Sequence, residues 1–376
     1  MELPRPGYEQ RTLRLGATTI ASQLSVLSRY DDNIFAVSRN ADDDVVFTIS
    51  PRLLLTTRQQ RLSLDGIAYA DINQYARFGS ESRTGFGARL SSQYLVGGDD
   101  SISAGVQAER IVQSRNDPES QNRLGLSPRQ INLFAATAGY HHGGGNLELD
   151  IRGKVQRNYF LEPGDEERSF IAYIPSVRLS FASSQQFATF IEGYANIRDN
   201  DLRVDLSGID RDMTTFGLFV GSRVSITGKL KGEAGIGPFR AVPADPALAP
   251  YWGIGGNAEL VWSLRPRTAV TLKGFRGDVA TAQVGAAGRT DTSISVRVDQ
   301  EVRHNLIAAI QAGYLATLFR GAVAPLKTRS LRFDAEYLVD RRLSLFLEAS
   351  HTRRAARIAE DRFTRNYVGI GIRLKG

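Results

Sequence analysis

Apolar and polar residues alternate one for one along most of this chain. In "NLELDIRGKVQRN", Leu147, Leu149, Ile151 and Val155 share one parity, while Glu148, Asp150, Arg152, Lys154 and Gln156 share the other. In "FGLFVGSRVSI", Phe216, Leu218, Val220, Val224 and Ile226 oppose Gly217, Gly221, Arg223 and Ser225. "TSISVRVDQE" sets Ile294, Val296 and Val298 against Ser295, Arg297, Asp299 and Glu301, and "SLRFDAEYLV" sets Leu331, Phe333, Ala335, Tyr337 and Val339 against Arg332, Asp334 and Glu336. A period of two is the signature of a strand with one apolar and one polar face. Read at a helical period, the same segments would mix charge and apolar groups on every face.

The spacing carries a second signal. Strand-like segments of about 10 to 15 residues follow one another to the end of the chain. Their connections alternate short and long. The short ones fall near 58–60, 97–100, 142–145, 183–185, 227–228, 264–266, 302–304 and 340–342. The long ones fall near 31–43, 78–84, 114–128, 161–167, 199–212, 242–250, 281–290, 320–327 and 354–362. Eight short and nine long connections predict about eighteen strands. Turns gathered at one end and loops at the other are the asymmetry of an outer-membrane barrel. An even strand number puts both termini at the short-turn end, expected on the periplasmic side, with the long loops extracellular.

The predicted fold is therefore all-β: a single antiparallel transmembrane β-barrel of the outer membrane, over 16–376, preceded by a periplasmic tail at 1–15. In lipid every backbone amide must be paired, so a spanning sheet has to close on itself. The apolar face then meets lipid and the charged face meets the lumen. That arrangement reconciles an integral membrane protein with a mean hydropathy of −0.24. No stretch of the sequence approaches the length of a transmembrane helix. "TAVTLKGFRGDVA" fits less well, since Arg276 shares the parity of Val270 and Leu272; a bulge or a position near the headgroups would accommodate it.

Composition narrows the chemistry. The absence of cysteine excludes thiol catalysis and cysteine-ligated metals. The net charge is +7, but the arginines are spread along the chain among acids rather than clustered, which argues against nucleic-acid binding. The expected surroundings are outer-membrane lipid and lipopolysaccharide. Four histidines, His141, His142, His304 and His351, are too few and badly placed for a hydrolase, and no cofactor is implied.

The parity places Arg52, Arg89, Arg152, Lys154, Arg178, Arg223, Arg297, Arg332 and Arg373 in the lumen. Asp65, Asp71, Glu109, Glu148, Asp150, Glu192, Glu233, Asp299, Asp334, Glu336 and Glu348 join them. Such a set either braces the wall by ion pairs between strands or sorts solutes by charge. Tyr69, Tyr75, Phe190, Tyr194 and Phe346 face the same way. In "RYDDNIFA", Asp31, Asp32 and Asn33 interrupt apolar residues and share a loop with Asp42, Asp43 and Asp44. Clustered oxygens could hold a calcium ion, though without an EF-hand's spacing. The plainer reading is a hydrogen-bonded strand end.

Three elements occur in order: the tail Arg5 to Tyr8, the strand end Tyr30 to Phe35 in "YDDNIF", and Ile49 to Leu53 in "ISPRL". Together they resemble the start of the putative beta-barrel porin 2 family, outer-membrane barrels often associated with exopolysaccharide synthesis and export. The resemblance implies a conduit for a secreted exopolysaccharide or capsular polysaccharide, with a periplasmic export partner. The lumen aromatics would then stack on sugar rings. A general diffusion porin for small solutes is the alternative, and a plugged barrel whose loops bind a partner is a third. An inward-folding loop would favour the porin, and 199–212 is the candidate for it.

Overall fold

The computed structural model describes residues 7–120, 126–226, 228–321 and 324–376. Arg5 and Pro6 of the tail motif, 121–125, 227 and 322–323 lie outside the described residues. A short strand β1 (Leu13–Leu15) precedes the barrel strands β2 (Thr18–Asp31), β3 (Asp44–Arg58), β4 (Leu62–Tyr75), β5 (Arg83–Gly97) and β6 (Asp100–Val112). β7 (Gln130–Gly144), β8 (Leu147–Phe160), β9 (Phe170–Ser184), β10 (Phe187–Asn200), β11 (Met213–Ile226), β12 (Leu230–Pro243) and β13 (Tyr251–Arg265) follow. β14 (Thr268–Val279), β15 (Ala286–Arg303), β16 (Leu306–Gly321), β17 (Leu326–Leu338), β18 (Leu343–Ala356) and β19 (Phe363–Lys375) complete the order. Each strand pairs antiparallel with its sequence neighbour, and β19 pairs with β2, which closes a ring of eighteen strands.

All eight short turns fall where the alternation places them. Two long connections are shorter than expected, because β15 starts at Ala286 and β16 continues to Gly321. The sequence there, "AAGRTDT", is small and polar. Its ladder runs beyond the apolar band, so hydropathy gives no sign of it. β1 folds back on β2 through Gly16, whose φ of 62° suits a residue without a side chain.

The outward face explains what the chain is dissolved in. Ile370 is 64% exposed and Ile236 63%. A soluble protein would not leave such a continuous apolar belt in water. Aromatic residues flank the belt at both ends: Trp252, Tyr30, Tyr159 and Tyr173 near the long connections, and Trp262, Tyr94, Tyr140 and Tyr337 near the short turns. The ten residues from Trp252 to Trp262 rise roughly 33 Å along a strand, or roughly 25 Å once the usual tilt is allowed for, which is the height of an outer-membrane apolar band. Arg276 lies on this outward face in an unbroken ladder, with its Nε donating to the Ile254 carbonyl at 3.0 Å.

The inward face uses glycine to seat aromatics. Tyr194 is the register partner of Gly217, Phe190 of Gly221, Phe239 of Gly253 and Phe346 of Gly371. A Cβ added at any of these glycines would overlap the facing ring. The aromatic thus lies flat over the backbone of the next strand. Gly217→Val should cost ~1–3 kcal/mol by overpacking. Gly193→Val, beside Tyr194 but on the opposite face of β10, should be close to neutral, because a Cβ there meets nothing within 4 Å. Urea unfolding of the two variants in lipid vesicles checks the difference.

Candidate functional site: the lumen and its inserted loop

The connection between β6 and β7 folds into the barrel. It holds the 17 residues between Val112 and Gln130, the longest run between strands. Glu119, on a single 3-10 turn at Pro118–Ser120, is buried. Its carboxylate accepts the Arg168 Nη1 at 2.8 Å and the Thr281 hydroxyl at 2.6 Å, and pairs with Arg289 Nη1 at 3.6 Å. Arg289 belongs to β15, nine strands from β6 in a ring of eighteen, so this contact crosses the whole bore. Asn116 reaches a third part of the wall. Its carbonyl accepts from Arg354 of β18, and its Oδ1 from Arg365 Nη1 of β19 at 3.2 Å.

The base of the loop is fixed by ion pairs from two neighbouring connections. Arg115 is held by Glu81, with Nε to Oε2 at 3.0 Å. Arg129 donates to Asp165 at 2.7 Å and to the Glu119 carbonyl at 2.5 Å. Burial pushes the Asp117 carboxyl above the usual aspartate range, against the pull of the Glu119 N–H and of Arg289. The expected inward loop, 199–212, behaves differently. Its Asp205 accepts from Ser207 N, Ile209 N and Arg211. The Leu206 and Asp210 N–H groups donate to Glu167 and Asp245 of the neighbouring connections, and Arg211 donates to the Ala286 carbonyl of β15. The loop is thus tied to its own side of the ring rather than to the opposite wall, with Leu206 85% exposed. Burial works against the charge on Asp205, but those donors outweigh it and hold the carboxyl below its usual range. The inserted loop is therefore the β6–β7 connection, through its described residues 113–120 and 126–129. Its length was the one sequence signal that pointed to it.

Below the loop, charges on the wall are paired across strands. Arg223 meets Glu148 at 2.7 Å, and Arg178 meets Glu192 at 2.6 Å and Glu233 at 2.9 Å. The Arg223–Glu148 and Arg178–Glu233 pairs each link strands three apart, cutting chords across the curved wall. Arg297 joins Asp299 at 2.9 Å and Asp334 at 3.1 Å, and Arg332 bridges Asp334 and Glu348, both at 2.8 Å. Arg89 forms two contacts with the buried Glu109, beside Tyr69. Arg152 reaches Asp150 at 3.3 Å and Arg373 reaches Glu336 at 2.7 Å. Arg52 is half-exposed, 3.9 Å from Asp71. Among the described residues Lys154 has no ion-pair partner. The aromatics lie along the wall: Tyr194 stacks on Phe219 at 5.0 Å between centroids, and Phe346 lies under Arg373 at 4.8 Å. Phe219, and the lumen-facing Phe275, were not picked out by sequence, although parity alone would have found them.

A cavity of about 930 Å³ lies under the loop, with Asn116 in its lining. Ser293, Ser295, Thr328, Ser330 and Thr352 present hydroxyls to it, together with Asn257 and Phe275. Nearer the short turns, Ser101, His141 and Asp150 lie in one cross-strand row. His141 Nδ1 is 3.1 Å from Asp150, but the Ser101 oxygen accepts from Gln93 Nε2 at 3.1 Å rather than from the imidazole. The row lacks the nucleophile–base bond that hydrolysis needs.

The "YDDN" residues staple the barrel's closing seam. Asp31 is the last residue of β2, fully buried, and accepts Arg365 Nη2 of β19 at 2.7 Å. Asp32 accepts the Asn366 N–H and Nδ2, both at 2.6 Å. Asn33 donates to the carbonyls of Val37 and Thr364. The three side chains diverge onto separate partners. Asp44 does not share the loop either: it opens β3 opposite Asp31 and accepts the Phe78 N–H at 3.0 Å.

A closed barrel with lipid-facing belt, aromatic girdles and polar lumen defines an outer-membrane porin. The family profile described as Putative beta-barrel porin 2 matches residues 5–376, and the chain belongs to that family. No curated protein sequence matches it. Among solved structures, it is similar in fold to OccAB3 of Acinetobacter baumannii, at 10% identity and a TM-score of 0.48, over 96% of this chain and 100% of that one. It is similar to the outer-membrane protein OpdK of Pseudomonas aeruginosa, at 10% identity and a TM-score of 0.45, over 95% and 99%. The FrpB iron transporter of Neisseria meningitidis, in its apoprotein form, gives 9% identity and a TM-score of 0.48 over 89% of this chain, which spans 61% of the FrpB chain.

Proposed function

We propose that this barrel is a diffusion channel for small polar solutes, with its long connections outside the cell and both termini in the periplasm. The observation that carries the reading is the β6–β7 loop, fixed across the bore from β6 to β15 by Glu119 and Arg289. A bore divided this way suits solutes small enough to pass beside the loop. The hydroxyls of Ser293, Ser295, Thr328, Ser330 and Thr352 offer many weak hydrogen bonds beside Glu233 and the Lys273–Glu259 ion pair of the same lining, which favours polar, hydroxylated solutes in transit.

Export of a polysaccharide is the second reading. It is favoured by aromatics that lie flat on the wall and by a loop held through polar contacts that can be displaced. The experiment is a deletion strain. Slower uptake of small polyols or sugars with normal surface polysaccharide supports the channel. Lost polysaccharide with normal uptake replaces it with export.

Orientation has its own test. Leu206→Cys, in the exposed 201–212 connection, should react with an impermeant maleimide on intact cells. Ser184→Cys, at a short turn, should react only after permeabilisation. Labelling of the Ser184→Cys variant alone on intact cells would invert the barrel.

A further inference from the structure

The outward face of β14–β18 carries a charged feature that the lumen does not explain. Two cross-strand rows lie beside each other toward the long-connection end. The first runs Arg276, Thr292, Ala316, Lys327 and Ala355. The second, one step nearer the membrane centre, runs Gly274, Ile294, Tyr314, Arg329 and Arg353. The next row runs Leu272, Val296, Ala312, Leu331 and His351, apolar on its first four strands and closed on β18 by an imidazole held 2.6 Å from the Asn366 side-chain oxygen. The cations therefore stop where the lipid-facing belt begins.

Arg329 and Arg353 are direct register partners, so two like charges stand on adjacent strands with their Cβ atoms ~5 Å apart. Such a pair is unfavourable unless something anionic lies between them. The protein supplies nothing: among the described residues, Lys327, Arg329 and Arg353 make no hydrogen bond, ion pair or ring contact, and all three are exposed. The nearby carboxylate of Asp32 is committed to Asn366. Two other outward arginines at this end are satisfied within the protein. Arg157 pairs with Asp201, and Arg110 donates to Asn132 at 3.0 Å and covers Phe86.

We propose that this patch binds the phosphate groups of a phosphorylated glycolipid in the outer leaflet. The Arg329–Arg353 pair would clamp one phosphate by charge-assisted hydrogen bonds. Arg276 and Lys327, three strands apart and hence roughly 14 Å from each other, bracket room for a second group on the same headgroup. Thr292, which accepts from Arg276 Nη1, and Ala316 leave the wall low between Arg276 and Lys327, and Tyr314 offers a ring beside the sugar. Two phosphates on a rigid disaccharide match this spread; a single-phosphate glycerolipid would engage one part of it. The leaflet rests on the orientation given above, but binding itself does not.

The test uses the folded full-length barrel in a neutral detergent, freed of lipid. The probes are bisphosphorylated lipid A, its dephosphorylated form, phosphatidylglycerol and inorganic phosphate, followed by native mass spectrometry. Bisphosphorylated lipid A should bind at least about tenfold tighter than either other lipid, and the Arg329→Gln/Arg353→Gln variant should lose about that factor. Channel conductance of the variant should be unchanged, since neither residue faces the lumen. Equal binding of the dephosphorylated lipid or of phosphatidylglycerol would overturn the proposal. So would inorganic phosphate displacing lipid A at equal concentration, which would mark a simple anion site. Should the double variant not fold, Arg353→Thr serves. In neutral detergent it should be at least as stable as wild type, because a repulsion is removed. In lipid A it should be less stable. The same ranking in both media would count against the site.

Discussion

Replacing residues 114–128 by a four-residue turn should raise single-channel conductance in planar bilayers several-fold. An eighteen-strand barrel is wide enough to hold an aqueous channel. What narrows this one is a loop whose Glu119 and Asn116 touch β15, β18 and β19 from a base on β6 and β7. Glu119→Ala should give an intermediate result. Arg289 keeps Asp291 at 2.5 Å, and Arg168 keeps Asp165 at 3.0 Å, so the wall survives while the loop loses its far anchor. The expected trace shows frequent steps between two conductance levels. Unchanged conductance in the excision variant would place the constriction elsewhere. The chords made by Arg178–Glu233 and Arg223–Glu148 would then be the narrow point, and the argument for a loop-limited channel would fall.

Most of the barrel was legible because its period is forced by physics. A strand between lipid and water must alternate, and slipping by one residue would turn every side chain to the wrong face. That is why the parity of Leu147 or Phe216 could be read directly. The inserted loop was not legible. Its position depends on Glu119 meeting Arg168, Thr281 and Arg289, residues far apart in sequence whose meeting only the closed ring brings about. The "YDDN" cluster is a hydrogen-bonded strand end, its plainer reading, but its partners were not legible for a related reason. Three neighbouring oxygens look like a site in one dimension, yet alternation sends Asp31 inward to Arg365 and Asp32 outward to Asn366. The aromatic-on-glycine pairs sit between these cases. Parity gives their face, but that Tyr194 lies over Gly217 follows from the register, which turn lengths fix and hydropathy does not.

Phe333→Arg should destabilise the barrel by ~2–4 kcal/mol, the cost of arginine near the middle of a barrel's lipid face. Phe333 lies outward at the centre of β17, beside Ile310 and Ala349. Leu149→Arg on β8 should behave alike. The matching lumen substitution has to be chosen from the structure. Asp334 and Asp150 are poor controls, since Asp334 serves Arg297 and Arg332, and Asp150 serves His141 and Arg152, so losing either strands arginines already in place. Ser330 is the better position. It faces the cavity under the loop, where an arginine side chain can extend into water. Ser330→Arg should therefore cost well under 1 kcal/mol, as surface changes do. It should also reduce cation conductance relative to anion conductance, because it adds an unpaired positive charge to the path. Reversible urea unfolding in lipid vesicles gives the first comparison, and reversal potentials in a salt gradient give the second. Equal stability losses at positions 330 and 333 would mean that the two faces of β17 do not meet different solvents, and the membrane reading of the alternation would fail with them.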